Sequence, residues 1–135
     1  MTIYDFQIGD WASFSELRTP GNFSQCKVAG LDEEKNYVLF KYNKTWGYYA
    51  HPRLDKIEPI QITEKMLLAN GWTKNEALQA YWLNGNDLLF EWYINRRALF
   101  INDGLIPVPV QYVHQLQHAF RLCGLTDMAD EFKIE

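Results

Sequence analysis

The sequence predicts an α+β protein with a β-rich first half, a linking helix, and a hairpin with a final helix packed on it. Three observations carry that expectation. Between Gln25 and Ala50, short runs of β-branched and aromatic residues alternate with turn signals. From Thr63 to Gly71 the chain shows helix start and stop residues. Around Leu116 the apolar residues recur at a helical period.

Taken in order, Gly9-Asp10-Trp11 follows a short apolar start, and Thr19-Pro20-Gly21-Asn22 is a dense turn signal. Strands are expected from Gln25 to Leu31 and from Tyr37 to Tyr42, split by the polar run Asp32-Glu33-Glu34-Lys35-Asn36. Asn43-Lys44 marks another turn, and Trp46 to Ala50 is a further short strand. Turns about every ten residues point to a small barrel or curled meander over residues 1–59, with an SH3-like barrel preferred.

Residues 60–135 then hold the helix, the hairpin and the closing helix as one compact unit. Thr63 is a good N-cap, Glu64 sits where the helix dipole favours an anion, and Gly71 after Asn70 is a stop. Ile62 and Leu67 occupy the positions of a hydrophobic staple, while Met66 stands where a capping-box Glu would be. Asn84-Gly85-Asn86-Asp87 separates Tyr81-Trp82-Leu83 from Leu88 to Ile94 and predicts a hairpin, because Asn-Gly accepts positive φ cheaply. Leu88, Phe90, Trp92 and Ile94 share one face at period two, with Glu91 on the other. Asn95-Arg96 turns the chain into a strand from Ala98 to Ile101, which Asn102-Asp103-Gly104 breaks. Pro107 and Pro109 keep the chain extended before a helix over 110–123 that Gly124 stops. On that helix Tyr112, Val113, Leu116, Ala119, Phe120 and Cys123 fall on one arc. His114, Gln117, His118 and Arg121 fall opposite, which predicts an outward polar face.

The totals bound the function classes. At 135 residues the chain can bury about two thirds of its unfolded surface, and its 47% apolar content fits a globular protein. Aromatics reach 16%, enough for a core, a binding surface or both. A formal charge of −4 argues against bulk attraction to nucleic acid or anionic membranes. No segment reads as a signal peptide or a membrane span, and Cys26 and Cys123 are isolated, so reduced structural cysteines and a cytoplasmic location are expected.

Three segments, in order, are similar to a known family. Tyr112-Val113-His114-Gln115-Leu116-Gln117-His118, ending at Gly124, resembles a "YVHxLQN…G" signature. Pro59-Ile60-Gln61-Ile62-Thr63-Glu64 with Asn70-Gly71-Trp72 resembles a "PIxLTEExLxxxGF" run, and Ile8-Gly9-Asp10-Trp11 an "IGNxV" start. The family is a set of small proteins of bacteroidete genomes and their prophages. Asp10 replaces its Asn, His118 replaces the Asn after "LQ", and the tail beyond Gly124 follows no shared pattern. The resemblance implies a single module in a setting linked to mobile elements. It implies no activity and no functional residues.

Catalytic chemistry finds little support. His114 and His118 are four apart on one helix, the spacing for two imidazoles on one metal, but no third ligand lies among their helical neighbours. His51 beside Pro52 is the remaining imidazole. There is no Gly-x-Ser-x-Gly elbow, no activated Cys motif and no phosphate-cradling glycine loop. Glu91 is a lone acid in an aromatic strand, where burial would favour its protonated form, though a solvent-facing position fits its alternation better. No catalytic residue, metal site or cofactor is expected, and a hydrolase or metal enzyme is the third choice.

The segment from Lys41 to Lys56 stands out. Lys41, Lys44, Arg53 and Lys56 face Asp55 alone, a net of +3, which leaves −7 for the rest of the chain. Trp46, Tyr48 and Tyr49 interleave with these cations. Lys41, Lys44, Trp46, Tyr48, Tyr49 and Arg53 are therefore the candidate binding residues. Such a pattern suits a peptide in an aromatic groove or a single strand of nucleic acid. It equally suits core aromatics flanked by solubilising lysines. The expected role is a non-enzymatic binding or accessory module with a protein partner, with single-stranded nucleic-acid binding as the rival.

Overall fold

The computed structural model describes residues 2–15, 23–43, 48–50, 54–85, 87–102, 104 and 107–134. The chain is α+β and divides into two compact units, Met1–Ile60 and Gln61–Glu135.

The first unit opens on a 3₁₀ turn, Ile3–Asp5. Thr2 caps it, and the Asp5 carboxylate accepts from the Thr2 N–H at 2.7 Å. Strands β1 (Trp11–Ser15), β2 (Phe23–Asp32), β3 (Tyr37–Asn43), β4 (Tyr48–Ala50) and β5 (Ile57–Glu58) follow, with a 3₁₀ turn, Leu54–Lys56, before β5. They form one antiparallel sheet in the order β4-β3-β2-β1-β5. The turn between β2 and β3 is the polar run at 32–36. There Asp32 accepts from the Lys35 N–H and Asn36 takes φ +59°, a value Asn tolerates. Alternation along the strands buries Ala12, Phe14, Val28, Val38 and Phe40 with Ile3, Phe6 and Ile57. Phe14 and Phe40 pack with ring centroids 4.8 Å apart and planes tilted by 32°. No pairing joins β4 to β5 among the described residues. The sheet is thus an open meander, and the expected SH3-like barrel is not closed.

In the second unit, α1 (Glu64–Ala69) starts where Thr63 accepts from the Met66 N–H at 3.3 Å. Ile62 and Leu67, the staple pair, are both buried. Gly71 at φ +86° ends the helix; the Gly71 N–H donates to Leu68 and the Trp72 N–H to Leu67. The same device closes α2 (Val113–Leu122) at Gly124, φ +77°, with Gly124 N–H to Arg121 and Leu125 N–H to Phe120. In both motifs the following residue, Trp72 or Leu125, is apolar and buried.

Five strands, β6 (Thr73–Asn75), β7 (Ala80–Gly85), β8 (Leu88–Tyr93), β9 (Ala98–Ile101) and β10 (Val108–Pro109), form an antiparallel sheet in the order β10-β9-β8-β7-β6. Phe90, Trp92 and Leu99 fill its inner face, and Phe120 of α2 meets Phe90 edge-on at 5.3 Å. Trp92 Nε1 donates to the Val110 carbonyl at 2.8 Å, tying the segment that leads into α2 to the middle strand. Asn70 clamps the far end of the chain. Its Nδ2 donates to the Lys133 carbonyl at 2.7 Å, and its Oδ1 accepts from the Lys133 N–H at 2.8 Å.

Several sequence expectations change here. Strand β7 runs on through Asn84 and Gly85, which the sequence predicts in the turn: Gly85 pairs with Leu88, and Asp87 takes φ +65°. Gly85 instead gives room: a Cβ there would lie 3.0 Å from the Met128 sulfur. The last long helix begins at Val113 rather than near Val110, because the Val110 N–H bonds to Arg97 and Tyr112 bridges to Gln61. Its expected polar face is largely covered. A further helix, α3 (Thr126–Asp130), packs on α2, with Gln117 Nε2 donating to the Ala129 carbonyl at 2.9 Å and Arg121 paired with Asp130 at 3.5 Å. His114 is buried against the Tyr112 ring, stacked at 5.9 Å.

Candidate binding face

Of the sequence-derived candidates, Lys44, Trp46 and Arg53 lie outside the described residues. Lys41, Tyr48 and Tyr49 sit in β3 and β4, where the backbone register pairs Lys41 with Tyr49 and Asn43 with Tyr48. Among the described residues the histidine pair gathers no third ligand. His114 and His118 meet edge to face, with ring centroids 5.5 Å apart. Cys26 and Cys123 form no disulfide. No described helix is long and apolar enough to cross a membrane.

A different surface comes from the register of the second sheet. Thr73 pairs with Trp82, Trp82 with Glu91, and Glu91 with Phe100. Directly paired residues of antiparallel strands point to the same side, so these four form one row across β6, β7, β8 and β9. It lies on the face opposite Phe90 and Trp92. The next row runs Asn75, Ala80, Tyr93, Ala98 and Pro109. Tyr93 stands between two buried alanines and turns its ring edge to Phe100, centroids 5.3 Å apart. Its hydroxyl donates to Glu91 Oε2 at 3.1 Å. From the turn between β8 and β9, the exposed Arg96 lays its guanidinium over the Phe100 ring at 5.4 Å. Trp82 at the other end of the row is 43% exposed. The result is a carboxylate between two aromatic rings, one already carrying a cation.

Pleat geometry gave half of this from sequence, because Glu91 falls on the side away from Phe90 and Trp92. Trp82 and Phe100 were missed because their place depends on register. The register that pairs Gly85 with Leu88 sets Trp82 opposite Glu91.

On the opposite side at the sheet edge, Lys74 joins α1 to β6. Its Nζ lies 3.0 Å from Glu64 Oε1 and 3.6 Å from Glu76 Oε1, and 6.0 Å over the Tyr81 ring. The hydrogen bond from Lys74 holds the Glu64 carboxyl below the usual range, and the same bond raises Lys74. Burial pushes the Tyr81 phenol up. This cluster ties α1 to the sheet edge.

No family model matches the chain, and neither the curated proteins nor the solved structures compared with it contain a match.

Proposed function

We propose that the protein is a non-enzymatic binding module whose partner is a protein, docked on the outer face of the second sheet. The observation that carries this reading is the row Trp82–Glu91–Phe100 with Tyr93 beside it. Aromatic rings with polar tips are where binding energy concentrates in protein interfaces. A carboxylate at the centre of the row repels phosphate, which makes a nucleic-acid strand the poorer occupant of this face. In the first unit, the order β4-β3-β2-β1-β5 and the 3₁₀ turn entering β5 support an SH3-like reading of the meander. A cytoplasmic setting rests on the isolated Cys26 and Cys123, and the link to mobile elements on the sequence resemblance.

The test places a photoreactive amino acid at exposed Thr73 or Asn84 and irradiates cells of the native host. Protein adducts that disappear in a Trp82→Ala variant are expected. Adducts that nuclease removes, or that are unchanged in the variant, would overturn the reading. The rival single-strand reading of Lys41–Lys56 is checked with labelled DNA and RNA at low and moderate salt. Each neutralised phosphate steepens the salt slope by about 0.7 for single strands, so binding that Lys41→Glu/Lys44→Glu abolishes and salt erodes would put that reading first.

A further inference from the structure

We infer that the seat between Trp82 and Glu91 takes a guanidinium, supplied by an arginine in an extended segment of the partner. This rests on the docking reading above and names the chemistry of its occupant. Neighbouring strands lie about 4.8 Å apart, so Glu91 projects from the sheet one strand away from both Trp82 and Phe100 on the same face. The row therefore offers two flat rings flanking one anion. The Phe100 end already holds a guanidinium, that of Arg96, which shows the geometry the row accepts. The Trp82 end presents a better cation–π surface, since indole outranks phenyl, and 43% of the residue is exposed. Tyr93 holds the carboxylate in place through its hydroxyl. A carboxylate has about four lone-pair sites on its two oxygens, so it accepts this bond and further donors together.

Charge points the same way. Residues 61–135 carry nine acidic and six basic side chains, so the second unit attracts cations. Guanidinium suits the seat better than ammonium because it is flat and weakly hydrated. It can stack on the indole while its edge donates two parallel N–H bonds to Glu91. An extended peptide crossing the row would present alternate side chains to the face, one of them at the seat.

The experiment uses the full chain, labelled with ¹⁵N, and follows the Trp82 indole resonance, assigned by its loss in Trp82→Phe. The probe is a capped eight-residue peptide with one central arginine among threonines and valines, compared with its lysine and citrulline counterparts. Citrulline keeps the shape and removes the charge. The arginine peptide is expected to shift the Trp82 signal saturably, with lysine weaker and citrulline about tenfold weaker or more. Glu91→Gln should weaken arginine-peptide binding about fivefold, as should Trp82→Leu, which tests the seat if Glu91→Gln proves unfolded by circular dichroism. Equal binding of arginine and citrulline peptides, or no response of the Trp82 signal, would sink the guanidinium assignment. If photo-adducts at Thr73 still depend on Trp82 in that case, the docking reading survives; if no protein adduct depends on Trp82, both fall.

Discussion

The side chain of Gln117 is fully buried, and its Nε2 donates to the carbonyl of Ala129, itself fully buried. That carbonyl also accepts from the Phe132 N–H at 3.4 Å, so removing the Gln117 donor takes away one of its bonds, a cost of about 0.5–1.5 kcal/mol. Gln117→Met keeps the volume and loses the bond, so the unfolding free energy from a urea titration should fall by that amount, through a lower midpoint at an unchanged slope. An unchanged midpoint would mean that water reaches the Ala129 carbonyl. Asp10 is the counterpart in the first unit: fully buried, with Oδ2 accepting from the Gln7 N–H at 2.7 Å. An asparagine oxygen can accept the same bond. Asp10→Asn should therefore stay within about 1 kcal/mol of wild type while Asp10→Ala loses about 1–3 kcal/mol. Equal losses in a denaturant titration would assign the role to the charge instead. Neither burial was legible in sequence. Helical phase alone turned Gln117 outward, and only α3, packed on α2, reverses it.

At the level of elements, the Lys74 tether makes a pH prediction with a definite sign. Glu64 is lowered by its bond from Lys74, so its contribution is complete above the ordinary glutamate value and lost as pH falls through the lowered one. Lys74 is raised by the same bond, so its contribution is complete below the ordinary lysine value and lost as pH rises through the raised one. Lys74→Gln should flatten the acid limb of the Tm profile between about pH 3 and 5, and Lys65→Gln, next to Glu64 on α1, should not. Superimposable acid limbs for Lys74→Gln and wild type would show that the tether contributes nothing to folding. The elements themselves were unevenly readable. Thr63, Gly71 and Gly124 announced helix ends because caps act through local backbone geometry. β6 is only Thr73–Asn75, and α3 is five residues with no side-chain cap bond at Leu125, so neither carries a local signal. Their existence depends on the partners they pack against. The binding row shares that limit. Glu91 was placed by alternation within one strand, whereas Trp82 and Phe100 join it only through pairing between strands.

For the whole molecule, the two units each enclose their own apolar interior, Phe14 and Phe40 in the first, Trp92, Leu99 and Phe120 in the second. A chain of residues 61–135 alone should keep a cooperative urea transition and a near-ultraviolet signal from buried Trp72 and Trp92. Its stability should be modest, on the order of 3–5 kcal/mol, as for other cores of this size. A featureless near-ultraviolet spectrum would show that the second unit needs the first to order its aromatics. The Asn70 clamp on Lys133 has a further consequence during synthesis. The first unit is complete at Ile60, but the second cannot close until residue 133 has cleared the ribosomal tunnel. At about 5–20 residues per second, translating the 73 residues between them takes on the order of 4–15 s. Throughout that interval the half-built inner face of the second sheet lacks its closing helices, which makes the nascent chain most prone to aggregate before its last residues are made.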